Sequence, residues 1–147
     1  MTDRELLGTW WNAAWNEGLW AAAWSRSVED LTAAQAVWTP QSGRHSIWQI
    51  VLHMIFWREE CLRRLATGRK PTDEELAANN FPQITDASEM AWSAARRRFA
   101  DSQQRVAAVL ADGSASLERV RYLLPHDCYH FGQINYLRAM QGLKPIE

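Results

Sequence analysis

Residues 125–138 carry the most informative pattern in this chain and read Pro125-His126-Asp127-Cys128-Tyr129-His130-Phe131-Gly132-Gln133-Ile134-Asn135-Tyr136-Leu137-Arg138. It contains two histidines four residues apart, a separation of one helical turn plus about 40°. On a helix, His126 and His130 would lie on one face, where their side chains can converge. The thiol of Cys128, two residues from each, would point to the opposite face, as a core residue or a bystander. The spacing therefore predicts a helix that presents two imidazoles to one ligand.

A third histidine, His53, lies in an apolar run from Ile47 to Trp57, which is typical of a buried helix. If that helix faces the pair, the three side chains form a three-nitrogen site with a vacant coordination position, as in catalytic zinc sites. His45 precedes His53 by eight residues, which places it about 80° round and ~12 Å along any shared helix. We therefore expect His45 to lie outside the site.

Hydrophobic periodicity and the positions of glycine and proline predict four long helices and no strand. The predicted fold is all-α, a four-helix bundle with long connecting loops in one domain over residues 1–147. Pro125 falls inside the last helix, so either that helix kinks there or a new helix begins with proline at its first position. The long helices are predicted after Thr2 to about Arg26, from Ser46 to before Gly68, from Asp86 to Ala111 and from Ser116 to Gln141, with short ones at Thr32–Val37 and Thr72–Ala78.

Five of the nine tryptophans lie in the first 24 residues, on more than one face of the first predicted helix. One stripe would run through Leu6, Trp10, Ala13, Glu17, Trp20 and Trp24. Trp11 and Trp15 lie beside it, and because aromatic residues concentrate at interface cores, we expect a homodimer that contacts through this helix. The predicted bundle core contains Trp10, Ile50, Ile55, Phe99, Val106, Leu123, Ile134 and Leu137.

Composition excludes several classes of partner. The formal net charge of −1 offers no basic surface for nucleic acid, and no apolar run approaches the ~18 residues that a membrane span needs. The N-terminal residues lack the layout of a signal peptide, and the two cysteines show no disulfide framework. We therefore expect a cytoplasmic protein that binds neither nucleic acid nor membrane.

Residues 125–138 closely resemble the final-helix motif of the DinB/YfiT-like superfamily, His-x-x-x-His-x-Gly-Gln-Ile followed by Leu-Arg. The segment from Ser46 to His53 is similar to the second-helix histidine segment of that family. The resemblance implies a four-helix bundle in which three histidines hold one divalent metal ion. By position, these ligands are His53, His126 and His130.

The resemblance also implies a range of chemistries, because relatives include S-transferases, isomerases and hydrolases that use bacillithiol, mycothiol or glutathione. Three neutral imidazoles leave the +2 charge of a metal uncompensated, which would acidify a bound water or thiol. Zinc or nickel suits such a site. We expect a metal-dependent thiol S-transferase or hydrolase that acts on small electrophilic substrates. The alternative is a metal-bearing stress or binding protein without turnover.

Polar residues near the expected ligands could orient their outer nitrogens. Gln49 and Glu60 lie on the face of His53, and Gln133 follows His130 by three residues. The spacing His126-Asp127-x-x-His130 also resembles the His-Glu-x-x-His signature of metalloproteases, but aspartate is one methylene shorter. Asp127 and Tyr129 are expected to serve packing or capping contacts, and no residue is assigned a catalytic role.

Overall fold

Four long helices form a bundle in the computed structural model, which describes residues 1–146. They are α1 (Asp3–Asn16), α4 (Ile47–Thr67), α6 (Glu89–Ala111) and α8 (Leu123–Met140). The connectors carry four shorter helices, namely α2 (Trp24–Glu29), α3 (Ala33–Val37), α5 (Asp73–Asn79) and α7 (Leu117–Val120). No strand occurs among residues 1–146, and the predicted all-α helical bundle is confirmed.

Capping boxes fix the starts of several helices. Thr2 caps α1 together with Glu5, and Ser46 caps α4 together with Gln49. In each box the hydroxyl accepts from a backbone N–H in the first turn, while the partner side chain accepts from the cap residue's own N–H. Thr32 and Thr72 begin α3 and α5 in the same way. The helix starts predicted at Thr2, Thr32 and Ser46 are confirmed.

The first helix is shorter than predicted, because α1 ends at Asn16 and not near Arg26. Gly18 has a φ of +83°, and a Cβ there would lie 1.9 Å from the carbonyl oxygen of Ala21. Only glycine tolerates so close an approach in the left-handed region. The chain reverses here, and Trp24 begins the separate helix α2. The predicted continuous stripe through Trp20 and Trp24 is therefore wrong.

The core register of α1 differs from the prediction by one residue. Trp10 is 44% exposed, whereas Trp11 is 1% exposed and packs in the core. Adjacent tryptophans fit the helical period in two registers, so periodicity could not choose between them. Hydrogen bonds to α6 stabilise the observed one, because Trp11 Nε1 donates to Gln103 O and Gln103 Nε2 donates to Trp11 O, both at 3.1 Å. The other predicted core residues are buried: Ile50, Ile55, Phe99, Val106, Leu123, Ile134 and Leu137.

The last predicted helix is split in two. The short helix α7 ends at Val120, and α8 begins at Leu123, so Pro125 is the third residue of a new helix. Proline is tolerated there because the first N–H groups of a helix have no partner within it. Of the two alternatives, a new helix is therefore correct, although proline is not at its first position.

The third predicted helix begins later than expected, at Glu89 and not at Asp86. Asp86 accepts from the N–H of Ser88 at 2.9 Å in a turn that precedes the cap of this helix.

The helix α4 lies at the centre of the bundle, packed against both α6 and α8. Its residues Ile47, Val51, Met54 and Ile55 are completely buried. One continuous apolar core extends from Trp11 to Leu137. The packing of α4 on α8 brings the histidine of one helix to the pair on the other. None of the helices in residues 1–146 has both the length and the apolar character that crossing a bilayer requires.

Candidate metal centre

Three histidines converge between α4 and α8. One ring nitrogen from each of His53, His126 and His130 lies within 4.8 Å of the others. The Nε2 atoms of His53 and His126 are 3.2 Å apart, and the ring centroids of His126 and His130 are 4.5 Å apart. The three side chains thus form a cluster that could bind a metal ion.

The outer nitrogen of each histidine faces an oxygen. His53 Nδ1 lies 2.9 Å from both O and Oδ1 of Asn80. His126 Nδ1 lies 2.8 Å from Asp127 Oδ1, and His130 Nδ1 lies 2.7 Å from Gln133 Oε1. Since each oxygen accepts, each Nδ1 carries the proton and donates it. In a neutral ring, Nε2 is then left with a lone pair.

This arrangement fits a cation. When both rings are neutral, their unprotonated Nε2 atoms 3.2 Å apart cannot hydrogen-bond to each other, and the lone pairs of His53 and His126 repel unless a positive ion lies between them. Nitrogen ligands of this type, oriented by oxygen partners on their outer side, are typical of zinc and other borderline divalent ions. The residues present therefore fit the metal that the sequence predicts.

Burial keeps two of the three histidines, His53 and His130, neutral. Desolvation is the main cause that lowers the pKa of His53 to about 4, with the neighbouring His130 adding to the effect. Desolvation likewise lowers the pKa of His130. An imidazole binds a metal only through its unprotonated nitrogen. Near neutral pH, both residues are therefore in the form that binds metal.

The connector after α5 holds His53 in place. The ring of Phe81 stacks on His53 at a centroid distance of 4.0 Å, and His45 stacks on the other face of Phe81 at 3.8 Å. Asn80 Oδ1 also accepts from Trp57 Nε1 at 2.9 Å. The side chain of His53 thus has a fixed orientation, while His45 lies beyond the phenyl ring and outside the three-histidine cluster.

The three predicted orienting residues differ in what they contact. Gln133 contacts His130 directly, and its Nε2 donates to the hydroxyl of Tyr129 at 3.2 Å. Gln49 acts one step further away, since its Nε2 donates to Pro82 O at 3.2 Å in the connector that holds His53. Glu60 accepts from Arg63 Nε at 2.9 Å and bonds no histidine. Of the three, only Gln133 contacts a ligand.

Sequence reasoning missed two partners of the histidines, Asn80 and Asp127. Asp127 was expected to serve packing or capping, yet it is completely buried and binds His126. One signal was present, because a carboxylate beside a ligand on a buried helix needs a polar partner. Asn80 lies in a connector whose path the sequence does not define. Cys128 is exposed, which leaves only the bystander alternative.

In a comparison with known protein families, the model of the DinB superfamily matches residues 17–142. This match agrees with the residue pattern and with the geometry of the histidine cluster. The chain belongs to the DinB superfamily. The matched range contains all three histidines and the three residues that contact their outer nitrogens, Asn80, Asp127 and Gln133. Searches of curated proteins and of solved structures find no match.

In this DinB-superfamily chain, the histidine cluster opens on a cavity of about 990 Å³. Its aromatic walls include Trp57, Phe81, Tyr129 and Tyr136. No acidic residue of the described chain lines it, and Arg44 is the fixed positive charge at its edge. The volume lies at the upper end of the range for pockets that bind small molecules.

A second cavity of about 230 Å³ lies on the other side of Trp57 and His126, which line both cavities. Glu60 and Cys61 line the smaller one. Burial raises the pKa of the Cys61 thiol, so this cysteine is a weak nucleophile at neutral pH. The larger cavity is therefore the place in the DinB fold where a ligand meets all three histidines.

Proposed function

We propose that His53, His126 and His130 hold one divalent metal ion, with zinc or nickel preferred, and that the protein is a metal-dependent thiol S-transferase or hydrolase. Its substrates would be small electrophiles. One observation carries the proposal: a ring nitrogen from each of the three histidines converges on one place while every Nδ1 faces an oxygen. This donor set fits a metal and leaves part of the coordination sphere to a ligand from the cavity.

Bound there, a divalent ion supplies positive charge that three neutral imidazoles do not compensate, which lowers the pKa of a thiol or water ligand. The protein's own residues orient the three histidine rings and line the cavity that receives the substrate. Asn80, Asp127 and Gln133 fix the orientation of the three rings. The aromatic walls of the larger cavity offer apolar surface to a substrate.

The nucleophilic thiol would come from a small molecule. Neither cysteine of the chain lines the larger cavity: Cys61 lines the smaller one, and Cys128 is exposed on α8. A low-molecular-weight thiol such as bacillithiol, mycothiol or glutathione would fit within about 990 Å³ together with a small electrophile. Water in place of the thiol would make the same site a hydrolase.

A second candidate function is a metal-bearing stress or binding protein without turnover. One observation favours it, because no carboxylate lines the larger cavity within residues 1–146 to act as a general base. A transferase that uses a metal-activated thiol does not need that base, whereas a hydrolase benefits from one. The S-transferase therefore ranks first.

The test is metal analysis of protein purified without chelators, followed by thermal-shift screening with bacillithiol, mycothiol and glutathione. Turnover of model electrophiles is then measured with each thiol and with water alone. The transferase proposal expects thiol binding that requires metal and turnover that His126→Ala abolishes, with Asn79→Ala, which does not line the cavity, as the control. Metal binding without thiol binding or turnover would favour the second candidate.

We also propose a homodimer, with a contact surface revised by the structure. Trp11 lies in the core, but Trp10 exposes 44% of its surface on α1. A large aromatic side chain left half exposed is a feature of interface cores. Sedimentation at micromolar concentration should show a dimer that Trp10→Ser weakens, and a monomer in the wild type would contradict the proposal.

A further inference from the structure

A buried ion pair connects the metal centre to the rest of the bundle. Arg58 Nε on α4 donates to Asp127 Oδ2 on α8 at 2.7 Å, and both side chains are 0% exposed. Arg58 Nη1 donates to Ser102 Oγ on α6 at 3.0 Å. The guanidinium carbon lies 4.4 Å from the ring centroid of Phe99 and 4.9 Å from that of Trp11. The pair therefore joins all four long helices.

Stability alone does not explain this pair. Removing two charges from water is costly, and apolar residues of similar volume in place of a buried ion pair are often neutral or stabilising. The pair is also incompletely bonded, because Arg58 Nη2 is buried without a hydrogen-bond partner. A pair retained only for stability would be expected to use all the donors of its arginine.

The second oxygen of the carboxylate points to a function. Asp127 Oδ1 accepts from His126 Nδ1 at 2.8 Å, while Oδ2 accepts from Arg58. One carboxylate thus bridges a ligand and an immobile cation. We propose that Asp127 and Arg58 form a positioning pair for His126, in which Arg58 fixes the carboxylate and the carboxylate fixes the ring with Nε2 toward His53. This inference rests on the proposed metal site.

The three ligands differ in a way that supports this role. Neutral oxygens hold His53 and His130, namely those of Asn80 and Gln133. A charged oxygen holds His126, whose side chain is 29% exposed, whereas His53 and His130 are buried. Hydrogen bonds to a charged acceptor are about twice as strong as neutral ones. The strongest restraint therefore acts on the ligand that packing restrains least.

The test compares zinc affinity with the stability of the metal-free protein. Asp127→Asn removes the charge with little change of shape. The double variant Arg58→Met with Asp127→Leu replaces the whole pair by apolar side chains. Asp30→Asn is the matched control, since Asp30 pairs with Arg138 of the same helix α8 at 2.7 Å but touches no histidine. Zinc affinity is measured by competition with a chromophoric chelator, and stability by urea denaturation.

The positioning role predicts a zinc affinity about 10–100-fold lower for the double variant, which removes the partner of the outer nitrogen of His126, although its metal-free stability equals or exceeds that of the wild type. Asp127→Asn keeps an acceptor oxygen but loses the charge that Arg58 holds, so it should show a smaller loss of zinc affinity. Asp30→Asn should bind zinc like the wild type.

Wild-type zinc affinity in the stable double variant would overturn the positioning role and leave the metal site intact. If Asp127→Asn does not fold, the zinc affinity of the double variant still tests the positioning role. A wild type that binds no zinc would overturn the proposed function itself, and this inference with it. That result differs from the previous one, in which the wild type binds zinc and the double variant binds it equally well.

Discussion

His53 Nε2 lies 3.2 Å from His126 Nε2, although the two residues are 73 positions apart and belong to different helices. Asn80 and Asp127 supply an acceptor on the Nδ1 side of each ring, so each ring in its neutral form has its lone pair on Nε2. Two lone pairs at this distance are unfavourable without a cation. This contact is therefore the observation from which we infer a metal ion between the two rings.

The first prediction concerns the ligands. His53→Ala, His126→Ala and His130→Ala should each lower the bound metal to well below one ion per chain, because two nitrogens hold a borderline ion much less tightly than three. Metal content is measured by mass spectrometry after dialysis. His45→Ala is the control, since Phe81 separates His45 from the cluster, and it should retain the wild-type content. Equal metal content in His53→Ala and the wild type would refute the ligand assignment.

The second prediction concerns Asn80. Asn80→Ala should lower metal affinity less than about 10-fold, below the range for losing a sole outer partner, because the backbone carbonyl of residue 80 still accepts from His53 Nδ1 at 2.9 Å. The matched control is Asn79→Ala, whose amide only donates to Glu75 O on the exposed face of α5. Competition titration with zinc compares the two. An affinity unchanged in Asn80→Ala would show that its side chain does not help to hold His53.

The third prediction concerns the pH dependence of the metal-free protein. The pKa of His53 is lowered from 6.5 to about 4 in the folded state. Between these values the unfolded chain binds a proton at His53 that the folded chain does not, so the free energy of unfolding should fall as the pH falls from 6.5 toward 4. His130, whose pKa is also lowered, acts in the same direction.

Urea denaturation in the presence of a chelator, at intervals between pH 7 and 5, measures this slope. The carboxyl of Asp30, whose pKa Arg138 lowers below 3.8, does not contribute in that range. His53→Gln, which cannot titrate, should reduce the slope. A flat profile for the wild type would mean that His53 is free to take up a proton in the folded protein.

The fourth prediction tests the register of α1. Trp11→Ala should lower the free energy of unfolding by about 3–5 kcal/mol, the usual cost of truncating a large buried aromatic side chain. Trp10→Ala, one residue away and 44% exposed, should cost about 1 kcal/mol or less. Chemical denaturation of both variants under the same conditions gives the comparison. Similar losses would place α1 in a different register.

Local signals in the sequence sufficed for much of the fold. Ser46 with Gln49 predicts the start of α4, and Gly68 predicts its end, because capping depends on neighbouring residues alone. The His126–His130 spacing likewise predicts two ligands on one face. The break after α1 could not be predicted, because it depends on the close approach of Gly18 to Ala21, which only the folded chain creates.

The partners of the ligands were harder to predict than the ligands. Gln133 follows His130 on the same helix, so helical spacing identifies it. Asn80 reaches His53 from a connector, and Arg58 reaches Asp127 from another helix. Both contacts depend on the packing of α5 and α8 against α4, for which a single sequence offers no periodic signal. Packing between elements therefore hides these two partners from the sequence, whereas Asp127 was missed although it is adjacent to His126.

The most direct measurement of the central claim is anomalous X-ray diffraction at the metal absorption edge, on crystals of protein purified without chelators. We expect one anomalous peak per chain, at about 2.0–2.1 Å from the Nε2 atoms of His53, His126 and His130 if the ion is zinc. A peak held by other residues, or no peak after incubation with zinc and with nickel, would contradict it.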